Sequence, residues 1–361
     1  MAIKLVLVFV LLTITSGLMV LVFQQLPLDQ ESSVLAIDWR GLHYGLRDGG
    51  LDYGEGSALK NPPWSLWPVR PLGFLSFRVS WAILTLATLA VLIATVPRLE
   101  HKPLYLTSLL LLITAFPSVR NIVDGNFEGL MIAGILILLH GYATQTPWLL
   151  AIGALLSTAK PQESWLLLIV IAWYLLKTWP RDKLLWAGGF IILGIIPTIP
   201  WLTDWWFTMV GIEERNSIMD MSLQATMSRF DAPNSLIIFC CLLIIGLTCH
   251  LILHKTTYQL SREQATLLIT ASLLTAPYAA GNNLTVVLAI GVVPLFQSNP
   301  LVGGIVFLLV NLFYIIPPNW RFYIEASYWM LYLLLVWIIF GWSIIQQKRA
   351  NYRFDQTPSV S

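Results

Sequence analysis

Apolar residues run through this chain in long blocks separated by short polar stretches, and these blocks define its elements more clearly than any amphipathic period does. Taking about 20 apolar residues as one bilayer crossing, and admitting shorter segments where neighbours bury them, the pattern predicts roughly twelve helices, within a range of about 10–13. Their approximate spans are 4–23, 74–96, 104–118, 128–143, 148–159, 163–177, 184–201, 234–253, 265–279, 284–297, 301–316 and 326–345. The fold expected is all-α, a polytopic transmembrane helical bundle with a long first extracytoplasmic loop. Residues 1–345 form one transmembrane domain and 346–361 a cytoplasmic C-terminal tail. The first block follows Lys4, is longer than a signal-peptide core and has no small-residue cleavage site after it, so it reads as a retained signal anchor.

Composition agrees with the pattern. With 57% hydrophobic residues, 11% charged and 16 tryptophans, an ordinary soluble domain is excluded. The net charge of +2 comes with no basic run interleaved with aromatics, so no nucleic-acid partner is expected. Cys240, Cys241 and Cys249 share one apolar segment and read as small helix residues.

Charge placement orients the bundle. With a cytoplasmic N-terminus, Lys4, Arg98, Lys102, Lys177, Arg181, Lys183, Lys255, Arg262, Lys348, Arg349 and Arg353 all fall inside, including six of the eight lysines. Both termini are then cytoplasmic and the protein is a multi-pass plasma-membrane protein. All acids except Glu100, Asp182, Glu263 and Asp355 fall on the outer face or at outer helix ends. Two long outer segments, 25–72 and 202–233, and the turns at 121–127, 160–162 and 280–283 are therefore expected to converge on one extracytoplasmic cavity.

No D-x-D, no GxxxxGK[ST] and no spaced His/Cys set occurs, and of five histidines only His43 lies on the outer side. No metal and no other cofactor is expected. Five outer features remain. Asp38 heads DWRGLHYGLR, where its plainer role is to cap a helix. NPPWSLWPVRPL, starting at Asn61, forces an extended re-entry. FPSVRNIVDGNFEGL carries Arg120, Asp124, Gly125, Asn126 and Glu128 at a proline-broken helix end. STAKPQESW places Lys160 and Glu163 between apolar stretches, where they meet as an i,i+3 pair or aim an ammonium at a phosphate. The fifth, LLTAPYAAGNNL, breaks a helix pair at Pro277 and Gly281 and presents Asn282 and Asn283.

In order and placement these features resemble the C-type (GT-C) integral membrane glycosyltransferases, in particular glycosyltransferase family 87, the polyprenyl-phosphate-mannose-dependent mannosyltransferases. The matching positions are Asp38 with Tyr44, Asn61-Pro62-Pro63, Gly125-Asn126, Lys160-Pro161 and Ala276-Pro277-Tyr278. Here Asn61 replaces the usual aromatic, Asn126 the usual Gln, and Asn282 and Asn283 stand where an acidic residue or His is common.

The resemblance implies an inverting transfer of a hexose, with mannose the expected sugar. The donor would be a polyprenyl-phosphate-linked sugar and the acceptor a hydroxyl of an extracytoplasmic glycan or lipid. Asp38 would be the general base. Arg120 and Lys160, with Arg40 as a third, would bind the donor phosphate. Tyr44, Asn126, Glu128, Glu163, Asn282 and Asn283 would bind substrate. The opposition of Asp38 to Arg120 and Lys160 favours the base over the cap. A transporter or lipid flippase shares this hydropathy, but it would hold charges near mid-membrane, where this chain has almost none. A non-catalytic subunit of an envelope-assembly complex is the third reading.

Overall fold

The structure, a computed structural model, describes residues 35–47, 50–53, 59–210, 220–253 and 258–355. The expected first span at 4–23, with Lys4, lies outside these residues, as does Lys255. The described residues are helical with no strand among them. In chain order the helices are α1 (Ile37–Gly45), α2 (Phe77–Thr95), α3 (Lys102–Thr114), α4 (Phe116–Asp124), α5 (Glu128–Ala143), α6 (Pro147–Ser157), α7 (Pro161–Thr178) and α8 (Arg181–Ile195). There follow α9 (Ile199–Val210), α10 (Leu223–Ser228), α11 (Asn234–Leu253), α12 (Arg262–Thr275), α13 (Leu284–Val287), α14 (Val293–Ser298), α15 (Pro300–Leu312) and α16 (Pro318–Asp355).

Each expected span after the first falls on helix, but 104–118 runs across the break between α3 and α4, 184–201 reaches from α8 into α9 and 284–297 covers both α13 and α14, so twelve crossings do not follow. Among the described residues five helices are long and apolar enough to span a bilayer, or six if α3 and α4 form one bent span. Helices α5, α6 and α15 are apolar but shorter. The predicted tail from residue 346 begins inside α16, which stays helical to Asp355.

Burial sorts the helices into inner and outer. The stretch Gly281–Ser298, interrupted by a π-helical turn at Leu288–Val292, is 72% buried, whereas Arg181–Thr208 is 11% buried and α11 22%. The outer helices therefore carry apolar side chains such as Leu185, Ile192, Phe239 and Leu242 on exposed surface, as lipid contact requires. At the centre, α12 places Thr266, Thr270 and Ser272 in full burial. The two threonine hydroxyls donate to Arg262 and Thr266 carbonyls one turn back, both at 2.7 Å, so no polar atom is stranded there. Helices α5 and α6 form a close antiparallel hairpin. Gly153 permits it, since a Cβ there would stand 2.3 Å from the Leu138 amide nitrogen.

The segment expected as a long polar loop is a folded cap. After α1 come two 3₁₀ turns, Pro63–Leu66 and Arg70–Phe74. Trp39, Leu42, Leu46, Leu51, Leu59, Leu66 and Val69 pack with Trp81, Leu84 and Phe127 into a second core beside that of the bundle. The indole of Trp39 is fully buried and donates to the Ser80 hydroxyl at 2.9 Å. Trp39, Leu42 and Leu46 keep the i, i+3, i+7 spacing of a helix, but Leu51, Leu59, Leu66 and Val69 follow no helical or strand period, so the sequence pattern does not reveal the core they form together.

Between α3 and α4 the helix axis turns by 51° at Ala115. Ala115 is extended (φ −58°, ψ 139°) and Pro117 opens α4 without an N–H. The Phe116 N–H that the break releases donates to the Asn311 side chain at 3.0 Å. The turn carries Arg120, Asn121 and Asp124 under α1.

Candidate active site

Asp38 does not cap α1. The N-cap is Ala36, in the left-handed region at φ 53°, with its N–H donating to the Val123 carbonyl at 2.7 Å. Asp38 lies in the first turn, half-buried, and its Oδ2 accepts from the Asn126 side-chain amide at 2.9 Å. Asn126 is held in turn by Gly125, which ends α4 at φ +70° and ψ 38° and lets the Asn126 N–H return to the Asn121 carbonyl at 2.9 Å. A Cβ on Gly125 would stand 2.5 Å from the Cβ of Trp39. Gly125→Ala should therefore cost about 1–3 kcal/mol in backbone strain alone, and the clash adds to it. A thermal melt in detergent checks this, and an unchanged Tm would remove Gly125 from the argument.

Two cations stand near Asp38, each held by two carboxylates. Arg120 pairs through Nε with Asp124 Oδ2 at 3.1 Å and through Nη1 with Glu325. Lys160, 7% exposed, pairs with Glu128 and lies 3.8 Å from Glu163 Oε1; both glutamates are fully buried. Asn283 donates to Glu163 Oε1 at 2.5 Å and accepts the Ala280 N–H at 2.6 Å, which ties this group to the break after α12. Asp38 also interacts electrostatically with both Asp124 and Lys160, so the two groups belong to one polar cluster. In that cluster carboxylates outnumber cations.

The break after α12 is clamped from a second side. The Asp220 Oδ1, 4% exposed, accepts the N–H of Ser222 at 2.9 Å and of Ala279 at 3.0 Å, and Met221 N–H donates to the Ala279 carbonyl at 2.8 Å. Burial pushes the Asp220 carboxyl above the ordinary aspartate range, and the two N–H donors pull it back. Asp220→Ala strands both donors and should cost about 1–3 kcal/mol for each. Asp220→Asn keeps an accepting oxygen and should cost well under half as much, so equal melting losses for the two variants would refute the clamp.

Of the residues singled out from sequence, the structure brings together Asp38, Arg120, Asn126, Glu128, Lys160, Glu163 and Asn283. Asn282 is half-buried beside them, and its side-chain oxygen is buried without a hydrogen bond. The Lys160–Glu163 pair read from the i,i+3 spacing is present, extended by Glu128, and it occupies the ammonium intended for the phosphate. Arg40 is two residues beyond Asp38, about 200° round the axis of α1, so it belongs to another face. Tyr44 is 48% exposed near the end of that helix.

Two contributors are not among the residues singled out from sequence, Glu325 and Asp220; Tyr278, in the Ala276-Pro277-Tyr278 break, is among them but carries no assigned role there. Glu325 carried a signal, since a lone carboxylate at the head of the last apolar run is costly unless paired. Arg262, at the opposite end of α12 from this cluster, donates to the Thr95 carbonyl at 2.7 Å, at the far end of α2.

The family model of glycosyltransferase family 87 matches residues 60–280, more than half of the chain. No curated protein and no solved structure matches it.

Proposed function

The chain belongs to glycosyltransferase family 87 and is a membrane glycosyltransferase, and from that premise we propose that it moves a hexose, mannose by the family's habit, from a polyprenyl-phosphate donor to a hydroxyl of an extracytoplasmic glycan or lipid. In the step proposed, the acceptor oxygen forms a bond to the anomeric carbon as the bond from that carbon to the phosphate oxygen breaks. The electron pair goes to the phosphate and the acceptor proton to Asp38, with inversion at carbon.

One observation carries this reading. Asp38, in the first turn of α1 and free of any capping duty, is oriented by the Asn126 amide in a cluster that also holds Arg120 and Lys160. An amide donor on one carboxylate oxygen fixes the side chain without neutralising it, which suits a base. Arg120, 28% exposed in its side chain, is the cation suited to face a phosphate. Lys160 and the fully buried Glu128 and Glu163 support the site from behind, and Asn282, with its buried oxygen lacking a hydrogen bond, is suited to a sugar hydroxyl. The carboxylate-rich cluster at one end of the bundle, with Arg262 at the other, supports an extracytoplasmic site with cytoplasmic termini.

The test is transfer from radiolabelled polyprenyl-phosphate mannose, glucose or galactose in proteoliposomes supplied with an extract of envelope glycans and lipids. A labelled glycosidic product is expected. Movement of label across the membrane with no product would refute the enzyme reading.

A further inference from the structure

Tyr278 sits on the break between α12 and the Gly281–Asn283 turn, and the backbone beside it is held on both sides. Pro277 fixes φ before it. After it, the Ala279 N–H and carbonyl are taken by Asp220 and Met221, and the Ala280 N–H by Asn283. The side chain is treated differently. Its ring is 45% exposed, and among the described residues its hydroxyl makes no hydrogen bond.

That hydroxyl nevertheless lies within electrostatic reach of Lys160, Asp220, Asp38 and Arg120, which come from four separate segments. The accessible ring therefore stands at the same end of the bundle as the charged cluster, on the break whose Asn283 holds Glu163 beside Lys160. A donor on a rigid mount with no partner among the described residues has the form that preorganised stabilisation of developing charge takes. A phenol keeps its proton at neutral pH without any special environment, its ordinary pKa being about 10.

The cations nearby are already compensated. Arg120 and Lys160 each hold two carboxylates, so a departing phosphate gains from a neutral donor that adds no further acid to the site. We propose that Tyr278 contacts the donor phosphate, its O–H donating to the phosphoryl oxygen that receives the electron pair as the bond to the anomeric carbon breaks. The phenol keeps its proton and forms no covalent bond. This contact rests on the lipid-phosphate donor proposed above.

The full chain in nanodiscs is titrated with radiolabelled polyprenyl monophosphate and, separately, with the unphosphorylated polyprenol. Wild type should prefer the phosphate. Tyr278→Phe should lose about tenfold in phosphate affinity, with polyprenol binding and Tm unchanged, and its transfer rate should fall about 10–100-fold. Tyr278→Ala should lose no more phosphate affinity than Tyr278→Phe does. A Phe variant that binds polyprenyl phosphate like wild type would overturn the contact. So would a loss confined to the Ala variant, which would make the ring a stacking platform. A wild-type protein with no preference for phosphate over polyprenol would overturn the donor class and this contact together, and it would do so before any variant is compared.

Discussion

Asp38→Asn is expected to lower sugar transfer by about 10²–10⁴-fold while leaving the protein folded. The substitution removes the proton-accepting charge but keeps an oxygen that the Asn126 amide can reach, so α1 should stay docked on α4. It also leaves Trp39 and its bond to Ser80 in place, so the second core is undisturbed. Tm and the circular dichroism spectrum should match wild type while labelled product disappears. Retention of more than about a tenth of the wild-type rate would be incompatible with a base whose contribution is that large. A large fall in Tm would instead make Asp38 a structural residue of the α1–α4 contact.

Lys160→Met is expected to lower stability by about 3–5 kcal/mol. The methionine fills similar volume, so the loss comes from charge. Glu128 and Glu163, both fully buried, would remain with no cation between them. The double variant Lys160→Met, Glu128→Gln should recover part of the deficit, because one of the two stranded carboxylates is then neutral. That recovery is the informative reading, since contacting residues show non-additive effects. Thermal unfolding of the three proteins in one detergent is sufficient. A Lys160→Met protein as stable as wild type would mean that the pair does not support the site.

The helices were legible because a bilayer-facing helix needs a run of apolar residues, and such runs survive in sequence whatever the packing. Which helices are long enough to cross was less so, because α5, α6 and α15 differ from the candidate spans in length more than in composition. The Lys160–Glu163 pair could be read because its partners are one helical turn apart. Glu128 could not, because it reaches Lys160 only when α5 and α6 fold back on each other. Glu325 is farther still, 205 residues from Arg120, and no local pattern reports such a pairing. The segment after Asp38 misled for a different reason. Its glycines, prolines and charges resemble a loop, while the buried residues after α1, Leu51, Leu59, Leu66 and Val69, are spaced irregularly and pack only in three dimensions.

The clamp between Asp220 and the break after α12 also constrains how this protein can be recombined. Residues 220–222 and 277–280 exchange hydrogen bonds in both directions, so each is part of the other's template. A chimera that takes the segment before α10 from one relative and the α12–α13 junction from another would bring together halves shaped by different partners. Domain-swap libraries built on this scaffold should therefore move the two stretches as a linked pair, even though α10, α11 and α12 separate them in the chain.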